Sequence, residues 1–234
     1  MLTGHPVPEK QKSVDLVSAF IAGAPRDAEG AVFYGVRDSN LAEWQRVRRA
    51  GEPFYYIDNS YFDRARGKQF RVTRNAMQHT GAGETNGKRL AALGYQAQPA
   101  RQHDSDAFVL AIEQSPLFMR HIAVAPQWLD TVLRHYRKRP IKVRAWSPDK
   151  PEAMTTLHAD LARTAVVVTH SSAAAVEAAM AGVQVLVSKA SACHTLGVVL
   201  PAPAEVQRWA GVLADNQWSR AELRDGTAWR AMNG

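Results

Sequence analysis

Two hydroxyl side chains, Ser171 and Ser172, follow three consecutive valines in the segment AVVVTHSSAAAVEAAMAGVQVLVS, residues 165 to 188. A strand apolar on both faces belongs in the middle of a covered parallel sheet. Whatever follows its carboxyl end stands where open α/β sheets bind ligands. Free N–H groups at a helix start, with a serine hydroxyl beside them, suit a phosphate. Ala173, Ala174 and Ala175 leave room above the first turn, Glu177 is spaced to reach a ribose or sugar hydroxyl pair, and His170 to touch phosphate. The preceding segment repeats the logic. Arg144 comes near the end of a strand and Lys150 sits in the loop before the next helix, so two cations can grip a diphosphate, the arginine bidentate and the lysine as a point charge. Plainer readings stand beside these: the serines as a cap only, Glu177 as a solvated surface residue, Arg144 as partner of Asp149 or Asp160.

The elements that must position these groups follow from periodicity. Strands are predicted at Ala31–Val36, Phe54–Asp58, Phe108–Ile112, Ile141–Trp146, Ala165–Thr169 and Val183–Ser188. Helices are predicted at Ser13–Ala22, at Asn40–Ala50 with Asn40 as N-cap and Gly51 as stop, and from Pro126 to about Arg139. Further helices are predicted at Met154–Arg163, at Ser172–Ala181 with Gly182 ending it, and near 204–214 and 219–231. Such alternation implies parallel strands with crossover helices, an α/β fold. Residues 59–104 are irregular, with Gln69–Thr73 and scattered glycines suggesting loops around short elements. Residues 141–188 form the most regular succession, β-α-β-α-β.

With 234 residues and 46% hydrophobic content, the chain can bury a core and is not a disordered tail. Its apolar runs fall short of the roughly 20 residues that span a bilayer, and its start lacks a secretory pattern. One cysteine, Cys193, excludes an intramolecular disulfide, and the His and Asp residues show no metal-ligand spacing. The chain reads as cytoplasmic, with no membrane partner and no metal. Its net charge of +7 favours polyanionic partners. Arg64, Arg66, Lys68, Arg71 and Arg74 fall in one basic run, interleaved with Phe54, Tyr55, Tyr56, Tyr61, Phe62 and Phe70. Aromatics among cations hold extruded bases and flanking phosphates, although the same aromatics also read as core. A second run, Arg134, Arg137, Lys138, Arg139, Lys142 and Arg144, contains no acid.

The stretch from Arg144 through Ser171-Ser172, Glu177 and Ala181-Gly182 to Val187 resembles the donor-binding half of GT-B glycosyltransferases. The ending, Trp209, Leu213-Ala214, Gln217-Trp218, Gly226 and Trp229, resembles compact phage-type glycosyltransferases. The resemblance covers about the last 100 residues well and the first 100 only by topology. It implies two small Rossmann-type parallel-sheet lobes facing a cleft, residues 1–120 for the acceptor and 121–234 for a nucleotide-diphosphate sugar, foremost a UDP-sugar, with no obligatory metal. Arg144, Lys150, His170, Ser171, Ser172 and Glu177 would hold that donor. An inverting member needs a base on the attacking hydroxyl. Asp58, ending its strand, is placed for it; an Asx-turn or helix cap is the alternative, and His103-Asp104 and Glu113-Gln114-Ser115 compete. By analogy of fold, the acceptor is a 5-hydroxymethylpyrimidine of phage double-stranded DNA in a host cytoplasm, held by the 64–74 cations. A polysaccharide or lipid-linked glycan acceptor, or a non-catalytic nucleotide- or DNA-binding role, remains open.

Overall fold

The computed structural model describes residues 1–63, 67–104, 106–120, 125, 127–146 and 156–234. The chain begins β1 (Leu2–His5), α1 (Gln11–Gly23), β2 (Gly30–Tyr34), α2 (Asp38–Ala50), β3 (Phe54–Asn59) and β4 (Gln69–Arg74). It continues with α3 (Lys88–Ala92), β5 (Phe108–Ile112), α4 (Pro116–Met119), α5 (Trp128–Arg134), β6 (Ile141–Arg144), α6 (Leu157–Leu161), β7 (Thr164–Thr169), α7 (Ala174–Met180) and β8 (Gln184–Val187). A short 3-10 turn (Ala192–Leu196) leads to α8 (Pro203–Asp215), β9 (Gln217–Ser219), α9 (Arg220–Arg224) and α10 (Thr227–Asn233).

These elements form two compact units, residues 1–79 with 214–234, and residues 80–213. The boundary expected at 120/121 therefore moves. β5 pairs with β6 and β7, which draws the segment after residue 79 into the second unit, while β9 returns to pair with β4 in the first.

The first unit holds a sheet in the order β1-β2-β3-β4-β9. β1, β2 and β3 are parallel, but β4 runs antiparallel to both its neighbours, so the sheet is mixed rather than wholly parallel. Alternation along β2 and β3 divides its core. Val32, Tyr55 and Ile57 pack with Leu16, Val17 and Phe20 of α1 and with Leu223 and Ala228 near the C-terminus. Ala31, Phe33, Phe54 and Tyr56 pack with Trp44 and Val47 of α2, the indole standing edge-on to Phe33 and Phe54 at 5.2 and 5.0 Å. Because β1, β2 and β3 lie side by side in chain order while α1 and α2 cover opposite faces, one of the two crossovers is left-handed, a rare arrangement. α2 starts two residues before the expected cap. Asn40 sits in its first turn, accepting the Arg37 N–H at 2.9 Å and donating to the His5 carbonyl at 3.1 Å, which ties α2 to the end of β1.

The second unit holds a parallel sheet in the order β6-β5-β7-β8. Trp128, Leu129, Val132, Leu133 and Tyr136 cover Val109, Val166 and Val168 on one face. Register puts Lys142 and Arg144 on the other face, where they meet Asp160 of α6. Helices thus lie on both faces, as a doubly wound sheet requires. The β-α-β-α-β succession over 141–188 forms, with one difference from the simplest expectation: β5 stands between β6 and β7.

Candidate functional site

In the second unit the chain goes from β5 outward to β6, then crosses back to β7 and β8, so strand order reverses between β5 and β7. Loops leaving two such strands diverge to opposite faces and open a crevice at the carboxyl edge, the place where doubly wound sheets bind ligands. Its two banks are Glu113-Gln114-Ser115 after β5 and His170-Ser171-Ser172 after β7. A short relay joins them: Thr169 donates its hydroxyl to the Ile112 carbonyl at 2.8 Å and accepts from the Gln114 amide at 3.3 Å.

His170 is 2% exposed; its ring lies against Trp128 with centroids 4.8 Å apart, and its carbonyl accepts from the Ser188 hydroxyl at 2.9 Å. His170 Nδ1 and the neighbouring Ser171 Oγ are buried and have no hydrogen-bond partner among the described residues. Such atoms cost free energy, on the order of 1–3 kcal/mol each, until something satisfies them. Burial also holds the imidazole pKa below its ordinary value, so near neutral pH it is an uncharged hydrogen-bonding group. Ser172 accepts the Ala174 N–H at 3.3 Å, and the helix begins at Ala174 rather than at Ser172. Glu177 lies half-buried in the first turn of α7.

Arg144 ends β6 on this same carboxyl edge, since Ile112 of β5 is in register with Arg144 on one side and Thr169 on the other. Its guanidinium, however, is engaged. Nη1 donates to Asp160 Oδ2, and Lys142 Nζ donates to Oδ1 of the same carboxylate at 2.6 Å. Asp160 is 3% exposed, so this is an interior ion cluster. The expected pairing of Arg144 with Asp160 is observed. Lys150, its expected companion, lies outside the described residues, as does Asp149. Glu113 accepts the Trp146 N–H at 3.3 Å, across the loop that leaves β6.

In the first unit Asp58 occupies the expected strand-end position at the carboxyl edge. Its Oδ2 takes the Arg71 Nη2 at 2.6 Å, and its Oδ1 accepts the Asn59 N–H at 2.7 Å. Arg71 also donates Nη1 to the Asn59 carbonyl at 3.1 Å, and its guanidinium lies 5.0 Å from the Tyr61 ring centre. Burial works against the Arg71 charge, but Asp58 together with Tyr61, Tyr56 and Tyr34 outweighs it and raises the pKa. Arg71 therefore leaves the predicted nucleic-acid-binding run: it is interior, committed to Asp58. Lys68 and Arg74 are exposed, while Arg64 and Arg66 lie outside the described residues. The aromatics interleaved with these cations, Phe54, Tyr55, Tyr56, Tyr61, Phe62 and Phe70, are all buried, so none presents a face to an extruded base.

Sequence reasoning missed Lys12 and Tyr34. Lys12 Nζ donates to Asn59 Oδ1 at 3.1 Å and lies 4.7 Å from the Phe70 ring centre, and the Tyr34 hydroxyl is 3.5 Å from the same oxygen. Burial and the nearby Asp58 push the Tyr34 pKa up to about 12, which keeps it a neutral donor. Tyr34 lay inside a predicted strand and Lys12 beside a predicted helix, and it takes both the pairing of β2 with β3 and the packing of α1 on that sheet to bring them together. Among the described residues, no group of three or more His, Cys, Asp or Glu is placed to hold a metal ion.

No family model matches the sequence, and no curated protein matches it either. Solved structures do match. KpsC of Thermosulfurimonas dismutans, described as a β-Kdo 2,4-transferase, aligns with a TM-score of 0.54 at 13% identity over 93% of this chain and 91% of its own. A KpsC chain of the same organism described as a β-Kdo 2,7-transferase aligns with a TM-score of 0.55 at 12% identity over 98% and 99%. At such identity the likeness is one of fold, and that fold is the α/β, GT-B-like one.

Proposed function

We propose that the protein is a glycosyltransferase that takes a sugar from a nucleotide-sugar donor bound at the β5/β7 switch point of the second unit. The observation that carries this reading is the pair of buried, unpartnered polar atoms, His170 Nδ1 and Ser171 Oγ, on one bank of that crevice. The fold likeness to two chains described as β-Kdo transferases, covering more than nine-tenths of both partners, supports a sugar as the transferred group. Ser171, Ser172 and the neutral His170 would hold phosphate or ribose oxygens, and Glu177 a hydroxyl pair. Arg144 would add positive potential from its Asp160 cluster, and Lys150 a further cation. A UDP-sugar is the first donor to test. Asp58, held in place by Arg71, is proposed as the residue that takes the acceptor's proton.

For the acceptor we favour a polysaccharide or lipid-linked glycan. Burial of the aromatics removes the base-holding surface on which a DNA acceptor leaned, although the +7 charge and the exposed Lys68 and Arg74 still suit duplex DNA bearing hydroxymethylpyrimidines. The test is direct. The intact protein is titrated by calorimetry with nucleotide sugars of differing base, and the binder is then offered with glycans and with hydroxymethylated duplex DNA while product mass is followed. Binding that weakens about tenfold or more in Ser171→Ala and His170→Gln is expected, each change removing one hydrogen bond to a charged ligand. A protein that binds no nucleotide sugar, or binds one equally well in both variants, sinks the donor site.

A further inference from the structure

We propose that the β6 edge of the second unit is a docking surface for an anionic lipid bilayer. β6 is an edge strand, and its alternation is inverted relative to a solvated edge: Ile141 and Val143 are 40% and 53% exposed, while Lys142 and Arg144 turn to the other face and are held by Asp160. Trp146, just beyond the strand, is 44% exposed. Large apolar side chains left in water along one strand mark an interaction surface rather than an accident of packing. α5 covers β5 and β7 with its apolar face and leaves the β6 positions on the same side of the sheet uncovered.

The charge beside this strip selects the partner. Arg134, Arg137 and Lys138 are exposed, and the run from Arg134 to Trp146 contains no acidic residue; the exposed Glu113, which accepts the Trp146 N–H, is outnumbered by these cations. Cations flanking a tryptophan and aliphatic side chains are what an interfacial protein offers to anionic headgroups and the acyl boundary beneath them. A second copy of this chain would bring the same cations against themselves. Duplex DNA would satisfy the cations but leave Ile141, Val143 and Trp146 in water. A bilayer satisfies both. The proposal concerns attachment at a surface, since no described helix is long and apolar enough to cross a membrane. It does not depend on the donor site.

The test is co-sedimentation of the intact protein with vesicles of phosphatidylcholine alone and with vesicles about one-third phosphatidylglycerol, at low salt and at about 1 M salt. The expected result is binding at least about tenfold stronger to the anionic vesicles, reduced by salt. Arg137→Glu/Lys138→Glu should lose that preference, and Trp146→Ser should weaken binding about fivefold with the salt response retained. Each variant is checked for an unchanged unfolding midpoint; a variant that fails this is replaced by Arg134→Glu or by Val143→Thr. Equal affinity for both vesicle types, or anionic binding that survives the charge reversal, overturns the proposal. So does binding indifferent to Trp146→Ser and Val143→Thr together, which would reduce it to adhesion of a basic protein. Tighter binding to duplex DNA than to anionic vesicles, lost with the same charge reversal, would reassign the surface to nucleic acid.

Discussion

Asp58 and Arg71 face each other across the antiparallel β3–β4 pair, joined by a 2.6 Å contact between Oδ2 and Nη2 with the arginine side chain only 6% exposed. The pair links the strand-end position of a candidate catalytic carboxylate to a strand whose direction the sequence did not disclose. Arg71 reaches Asp58 only because β4 runs against β3. A parallel neighbour would have carried a different residue to that point.

Removing one partner should expose how firmly this contact is built in. Asp58→Asn leaves a buried guanidinium without its counter-charge and should cost about 2–3 kcal/mol, the lower end reflecting the part-exposed carboxylate. Asp58→Leu combined with Arg71→Met should recover much of that loss. Urea unfolding of the single and double variants measures both, and a single variant within about 0.5 kcal/mol of wild type would show that the pair contributes little. The same experiment tells whether lost transfer activity in Asp58→Asn reflects chemistry or folding.

The Lys142–Asp160–Arg144 cluster makes a second, independent case. Asp160 is almost fully buried and serves two cations, one of them largely interior. Asp160→Ala should lower stability by about 3 kcal/mol, because both cations lose their partner and one has little water to turn to. Lys142→Met should cost under about 1 kcal/mol, since that ammonium is substantially solvated. The reverse ranking in thermal unfolding would mean that the lysine, not the arginine, anchors the carboxylate.

How much of this was legible beforehand depended on whether a residue's role is local. Valines 166–168 announced an interior parallel strand because both faces of a covered sheet are apolar, and β7 is buried throughout. Gly51 and Gly182 announced helix ends because a left-handed C-terminal residue is a local requirement, and their φ angles are 66° and 74°. Strand neighbours are not local. Nothing in residues 141–169 says that β5 slots between β6 and β7, so the β5/β7 crevice and the Gln114–Thr169 relay were invisible, although His170 and Ser171 were singled out. Asp160 looked like one of two possible partners for Arg144, and only the fold around α6 brought the two together. The aromatics from Phe54 to Phe70 were ambiguous in the same way: a chemistry that fits a nucleobase also fits a core, and burial decided for the core.

Gly182 gives a prediction with a steric cause. A Cβ built there would lie 2.0 Å from the Pro99 carbonyl oxygen, and the backbone is left-handed besides. The carbonyl of Gly182 accepts the Arg101 N–H at 2.9 Å, so the approach is fixed by backbone on both sides. Gly182→Ala should destabilise by more than about 2 kcal/mol, well beyond the cost of a left-handed alanine alone. A soluble variant with wild-type unfolding behaviour would mean that the 98–101 segment packs elsewhere.

Cys193 is the only thiol of the chain, fully buried in the 3-10 turn, and burial pushes its pKa up. Thiolate is the reactive form, so alkylation requires local opening. A thiol reagent should label the native protein at least about a hundredfold more slowly than the urea-unfolded chain. Comparable rates would place the turn in a frayed state and take the floor from beneath Trp209, whose indole N–H donates to the Ala192 carbonyl at 3.2 Å.

Acid should destabilise the protein through its histidines. Burial lowers the pKa of His170 and of His79 from the ordinary 6.5, so the unfolded chain binds their protons more readily than the native one does. Their contribution is fully present above pH 6.5 and is lost as pH falls below that value toward the depressed native pKa, where protonation drags the ring toward water. Thermal unfolding midpoints should therefore hold steady from about pH 8 to 7 and decline from about pH 6.5 to 5. His170→Gln should flatten part of that decline and His79→Gln another part, with His5 and His103, whose pKa values burial also lowers, contributing the rest. Since the carbonyl of His170 binds Ser188 through the main chain, the glutamine keeps that contact and changes only the titrating ring. A nucleotide that engages Nδ1 of the uncharged ring should steepen the same decline in the wild-type protein and extend it to lower pH, because favouring the neutral ring depresses the native pKa further. If saturating nucleotide leaves the acid slope unchanged while His170→Gln reduces it, the ring titrates but does not touch the ligand.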